Sequence, residues 1–258
     1  MFAAPQTTPA DLDFELLGIR VRVSAWFWVS ALLFGWAVCQ ALSGGDQRTQ
    51  LLLLAIWAAA VFVSILVHEL GHALVYRAFG QSSHVVLYHL GGLTIPDPWG
   101  RRHLRPAQRV LVSAAGPLAQ LTLAAAIIAG LKGAGFCVPF PFPAVSAALG
   151  LYDGHDYASS LVYALVFFLV SVNVMWPLLN LIPVPPLDGG QIVRDGLLAL
   201  DVPDAVRIAS IVGTVTGAAV AWWGFQRGEP ILAMMFAMLA AQCAQDISSG
   251  GGPWRRWN

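Results

Sequence analysis

Six apolar stretches dominate this sequence, at about residues 23–43, 50–79, 107–131, 159–182, 205–225 and 230–246. About 20 apolar residues in a helix cross a hydrocarbon core of about 30 Å, and lipid offers the backbone no hydrogen-bond partner outside that helix. Runs of this length therefore commit the chain to spanning helices. With 57% hydrophobic and 11% charged residues, the chain has too little polar surface to cover a soluble fold of 258 residues. The expected fold class is an all-α polytopic membrane protein of about six transmembrane helices. The first stretch follows Asp11, Asp13, Glu15, Arg20 and Arg22; it is too long, and its flank too acidic, for a plain cleaved signal peptide.

Net charge is zero, so no basic surface suggests nucleic acid as a partner. The cations do give an orientation. With the N-terminus in the cytoplasm, eleven arginines fall inside (20, 22, 77, 101, 102, 105, 109, 194, 207, 255 and 256) and only Arg48, Lys132 and Arg227 outside. Both termini are therefore expected in the cytoplasm. Trp254 and Trp257 read as inner interface anchors, and Trp222 and Trp223 as outer ones. Cys39, Cys137 and Cys243 share no CxxC spacing and read as small buried apolar residues.

Between spans, residues 80–106 (GQSSHVVLYHLGGLTIPDPWGRRHLRP) carry β-forming residues around Gly91–Gly92 and predict a short hairpin or loop that dips into the membrane. The outer segment 133–158 is rich in Pro and Gly and reads as irregular. GTVTG in the fifth span (Gly213, Gly217) presents a small face, expected to pack within the chain.

One run carries chemistry. Leu51–Val67 has Ser64 as its only polar residue, yet it continues directly into His68, Glu69 and His72 (HELGH). Ionisable groups at membrane depth are costly and mark function. Histidines four apart on a helix present both imidazoles on one face, suited to one zinc ion, and the intervening glutamate can reach an attacking water as general base. From Leu51 to His68 is about 26 Å at the helical rise, which places the pair just inside the cytoplasmic boundary.

A catalytic zinc needs a third protein ligand at the same depth. Asp153 and Asp156, with His155 in YDGHDY, fall on the outer side and read as a solvated loop or at best a separate weak metal site. Asp97 is on the correct side, in a loop; Asp188, in NLIPVPPLDGG, follows the fourth span at the cytoplasmic face and could equally cap the helix GQIVRDGLLAL. His84, His89 and His103 read as loop histidines that could also shield an open metal position.

HELGH at the inner end of one span and NLIPVPPLDGG at the inner end of a later one resemble the site-2 protease family of intramembrane zinc metalloproteases. SAAGPLAQ (113–120), Asn173 seven residues before Asn180, and HLGGLT (89–94) agree. The likeness covers about residues 60–195. It implies one zinc per chain on His68, His72 and Asp188, Glu69 as catalytic base, and substrate-positioning or transition-state roles for Asn173, Asn180, Gly91 and Gly92. It also implies a layout: 1–22 a cytoplasmic segment, 23–43 the first span, 50–195 a core with three catalytic helices, 196–246 peripheral spans and 247–258 a cytoplasmic tail. The form expected is compact, without PDZ or CBS domains. Gln120 departs from the asparagine common at that position of the family, a change expected to touch packing around the site more than the metal.

The activity implied is zinc-dependent hydrolysis of a peptide bond in or near a transmembrane segment, releasing anchored regulators or clearing signal-peptide remnants. The setting is the lipid bilayer of a bacterial inner membrane, with the active site near the cytoplasmic face. Partners are transmembrane proteins or peptides, with an upstream site-1-type protease acting first; an unwound substrate could add as a strand to the 80–106 loop. The competing reading is an inactive scaffold or a metal transporter using the same His/Asp cluster. A CAAX-type metalloprotease would want a downstream glutamate ligand, and only Glu229, on the outer side, follows.

Overall fold

The computed structural model describes residues 7–89, 91–97 and 104–248. In chain order its elements are β1 (Leu12–Leu16), β2 (Ile19–Val23), α1 (Ala25–Leu42), α2 (Gln47–Ala78), β3 (Ser83–Tyr88), β4 (Gly91–Pro96), α3 (Pro106–Gly133), α4 (Pro143–Ala148), α5 (Ser160–Asn180), α6 (Asp188–Ala199), α7 (Ala205–Gln226) and α8 (Pro230–Ser248). Of these, α1, α2, α3, α5, α7 and α8 are long and apolar enough to cross a membrane. Their boundaries lie within three residues of the stretches read from sequence. His103, Arg101, Arg102, Arg255, Arg256, Trp254 and Trp257, with most of the expected C-terminal tail, lie outside the described residues.

The chain divides into two compact units, and the division runs through α3 at Pro117 and through α5 at Pro177. The larger unit holds residues 2–101 and 118–177. Its sheet is four-stranded in the order β1-β2-β3-β4, antiparallel except for the parallel pair β2–β3. The hairpin read around Gly91–Gly92 is therefore present, but not alone. The N-terminal segment adds two strands, registered Val21↔Val85 and Val23↔Leu87.

The β1–β2 turn, Leu17–Gly18, has positive φ at both residues, as a tight I′ hairpin requires. In β2 the pattern IRVRV buries Ile19, Val21 and Val23 and turns Arg20 and Arg22 outward. These apolar residues, with Val85 and Leu87 of β3, pack on Phe27, Ile65, Leu66, Leu70 and Ala73. The sheet is thereby fixed against the turns of α2 that contain HELGH.

α2 starts at an Asp46 cap whose carboxylate accepts from Thr49 N (2.8 Å) and its hydroxyl (2.6 Å). Its 32 residues span about 48 Å, well over a hydrocarbon thickness. On its outer half Gly35 of α1 faces Trp57, whose indole Nε1 donates to Ala31 O (2.8 Å); a Cβ at Gly35 would fall 2.8 Å from the indole Cγ. Cys39, Leu53, Leu54, Ala60, Ala164 and Phe168 complete that core.

The segment 133–158 is more ordered than its Pro/Gly content predicts: it contains α4 and a bridge between Phe136 and His155. Lys132 Nζ donates to Gly150 O (2.8 Å) and Asp153 O (2.7 Å), and Tyr157 OH to Cys137 O (2.7 Å), which staples the segment to the end of α3.

The second unit holds residues 104–117 and 178–248 of the described chain. In it α7 and α8 pack along a seam of small residues. A Cβ at Gly217 would lie 3.1 Å from Ala240 Cβ, and one at Gly213 would lie 2.8 Å from Pro185 Cδ and 3.0 Å from Cys243 Sγ. The GTVTG face thus packs within the chain. All three cysteines are buried free thiols.

Candidate metal centre

His68, Glu69 and His72 are 3%, 5% and 7% exposed on α2, in the larger unit. One helical turn separates the two imidazoles, and their Nε2 atoms lie 3.1 Å apart with the rings nearly perpendicular. Two buried nitrogens aimed at one point are what two bonds to one small cation require.

The polar groups behind them form a connected set. Gln120 of α3 is fully buried; its Oε1 is 2.9 Å from His68 Nδ1 and its Nε2 donates to Ser64 O (3.1 Å). Asn173 of α5, also fully buried, donates from Nδ2 to Ser64 Oγ (2.7 Å) and to Leu169 O (2.9 Å). Pro177, lacking an N–H, leaves the Asn173 carbonyl without its usual helical donor. Ser64, the lone polar residue of its run, is thus where α3 and α5 are tied to α2, one turn before His68.

Glu69 faces the sheet. The Thr94 hydroxyl of β4 donates to Glu69 Oε2 (2.7 Å) and lies 3.0 Å from Glu69 O. A Cβ at Gly92 would fall 2.7 Å from Glu69 Oε1, so only glycine lets β4 pass over the carboxylate. Gly91 lies against Trp176, with a Cβ there meeting the ring at 3.4 Å. The structure brings His68, Glu69, His72 and Gly92 together, with Asn173 one shell behind.

Neither described loop histidine joins them. His84 Nδ1 pairs with Asp97 Oδ1 (3.0 Å), and His89 packs on Tyr88 and Trp26 while its carbonyl accepts from Ser30.

Asn180 and Asp188 belong to the second unit. Asn180 is the last residue of α5, half-buried, and the prolines that follow prevent the helix from continuing. Asp188 is half-buried and is the first residue of α6 rather than its cap. The cap position is Leu187, which makes no side-chain cap bond. The two glycines after it have a steric cause: a Cβ at Gly189 would lie 2.6 Å from Ile182 O, and one at Gly190 2.5 Å from Val184 C. α6 can start this close to the 181–185 turn only with glycine there. Buried Asp195, two turns on, accepts from Arg109 Nε (3.1 Å) and Arg194 Nη2 (2.9 Å), which holds α6 to the start of α3.

Ser64 and Gln120 stand out in the sequence, one as the lone hydroxyl of an apolar run and the other as a departure expected to touch the surroundings of the site, and the structure places both behind His68. Thr94 does not stand out; its only signal is that it closes HLGGLT.

Of the six described helices long and apolar enough to cross a membrane, one carries the buried HExxH pair. The model of peptidase family M50 matches residues 56–221, and the chain belongs to that family. Over 187 residues it is 32% identical to "Putative zinc metalloprotease sll0528" of Synechocystis sp., covering 70% of this chain and 42% of that protein. It is 30% identical over 185 residues to "Putative zinc metalloprotease Rip3" of Mycobacterium tuberculosis, with the same coverage. The matched stretch is thus about two fifths of either relative's length. In structure the chain is similar to the site-2 protease from Methanocaldococcus jannaschii, with a TM-score of 0.53 and 20% identity over 92% of this chain and 95% of that one. That likeness establishes the fold.

Proposed function

We propose that this protein is a zinc-dependent endopeptidase that cuts membrane-anchored substrates in or near a transmembrane segment, close to the cytoplasmic face of a bacterial inner membrane. The observation that carries the reading is the convergence of His68 and His72 Nε2, with Glu69 between them, buried on a spanning helix. Two imidazoles and a carboxylate are a donor set that suits zinc and leaves a fourth position open. His68, His72 and, from the second unit, Asp188 would hold one ion per chain. Bound there, zinc would supply Lewis-acid polarisation of the scissile carbonyl and acidify an attacking water.

The chain's own residues do the rest. Glu69 takes the proton from the water as its oxygen bonds to the carbonyl carbon, then passes a proton to the departing amide nitrogen as the C–N bond breaks. Thr94 holds that carboxylate in place, and Gly92 keeps the space above it open. Since β4 pairs with no further strand among the described residues, its free edge suits an unwound substrate segment, with main-chain bonds replacing those of the substrate helix. Proline at Leu93 would test this. Val85 and Leu87 are buried in β3, between β2 and β4, so proline at either would break the sheet itself. Asn173 uses both amide hydrogens on Ser64 Oγ and Leu169 O, so its Oδ1, which has no partner among the described residues, is the atom that would meet substrate; Asn180 and Gly91 are the other proposed positioning residues.

Release of regulators and clearance of signal-peptide remnants both fit this chemistry, as does an earlier cut by a site-1-type protease. The test is Glu69→Gln. With a single-span reporter that the wild type cleaves, the rate should fall about 10²- to 10⁴-fold, while zinc content stays unchanged. Cleavage at the wild-type rate would remove Glu69 from the chemistry and sink the mechanism, and a folded wild type that cuts no such reporter would favour a scaffold or transporter.

A further inference from the structure

We infer that Gln120 is a positioning residue that selects the tautomer of His68 and so presents its Nε2 lone pair to the metal. The inference rests on the zinc reading above.

Ser64 O is a carbonyl and can only accept, so the Gln120 atom 3.1 Å from it must be the NH₂ group. That choice fixes the other end of the amide: Oε1, an acceptor only, faces His68 Nδ1 at 2.9 Å. The ring nitrogen there must carry the hydrogen. A neutral imidazole has one N–H, so Nε2, the atom that faces His72 Nε2 at 3.1 Å, carries no hydrogen and can turn its lone pair to a metal. Gln120 is fully buried, so water cannot replace either bond. Both contacts lie on one face of α2, because Ser64 precedes His68 by one turn. Glutamine therefore reads helix geometry at one end and sets ligand chemistry at the other.

Histidine ligands are commonly oriented by such a partner, whose loss weakens metal affinity by roughly 10- to 100-fold. The test titrates zinc against a competing chelator in the full-length detergent-purified protein. Wild type is compared with Gln120→Met, which keeps the length of the side chain and removes both bonds, and with Gln120→Glu, which keeps an acceptor for Nδ1–H. The expected result is zinc affinity about 10- to 100-fold lower for the methionine variant and close to wild type for the glutamate one. A folded methionine variant that binds zinc as tightly as wild type overturns the inference. Wild type that takes up no zinc overturns the metal reading, and this one with it.

Should the methionine variant not fold, ¹⁵N-histidine NMR of the wild type decides the question, with His68→Gln assigning the signal. A hydrogen on His68 Nδ1 upholds the inference, and a hydrogen on Nε2 overturns it.

Discussion

Among the described residues, two of the groups that combine histidine with carboxylates, one in HELGH and one in YDGHDY, have opposite fates. His68, Glu69 and His72 are buried on α2, and each neighbouring polar group is part of a network reaching α3, α5 and β4. Asp153, His155 and Asp156 stand exposed on the segment before α5. There the backbone does the binding: His155 N donates to Gly135 O (2.7 Å), and Cys137 N donates to His155 O (3.1 Å). Similar residue types thus make a prepared site in one place and a loop staple in the other. What separates them is burial with convergent side chains, since an exposed carboxylate or imidazole is already satisfied by water.

Gly92→Val breaks the inner group most directly after loss of Glu69 itself. Its side chain would occupy the carboxylate's space, and activity should fall by about 100-fold or more, with overpacking costing ~1–3 kcal/mol of stability. A reporter assay with a thermal melt separates the two effects, and wild-type activity would show that Glu69 is not where catalysis needs it.

Thr94→Val should cost less. A hydrogen bond to a charged group contributes about 1.5–3 kcal/mol, so cleavage should fall roughly 10- to 100-fold. The loss should appear in kcat more than KM, and Thr94→Ser should restore it. An unchanged kcat would remove Thr94 from the site.

The outer group should be nearly silent. His155→Ala with Asp156→Asn should leave zinc content and cleavage within about twofold of wild type. A smaller effect falls on Cys137, whose thiol is pushed up first by burial and then by the Asp156 carboxylate. Removing that charge lowers the thiol's pKa and makes its alkylation faster at pH 8. Loss of zinc in this variant would erase the contrast between the two groups.

Much of this was legible before any coordinates. Apolar run length placed six spans because lipid leaves the backbone a single local solution. HELGH was legible because its chemistry depends on a spacing within one helix, and HVVLYHLGGLT showed its hairpin for the same local reason. The sheet's other half was not. IRVRV alternates correctly, but its arginines read as the flank of a span, and its parallel partner lies about 60 residues away with no local signal. Asp188 read as a metal ligand through the family resemblance and, from its place before a helix, also as a cap; the cap reading fails because α6 begins at Asp188 itself, with Leu187 at the cap position. Ser64 and Gln120 drew notice in the sequence, but their partners, and the part played by Thr94, depend on tertiary packing that no local pattern encodes.

The central claim is that His68 and His72 share one zinc with Asp188. The most direct measurement is zinc per chain in the full-length protein purified in detergent, wild type beside Asp188→Asn. The account predicts about one zinc per wild-type chain and a large loss in the variant. A folded wild type without zinc, or a variant that retains it fully, would contradict the three-ligand site.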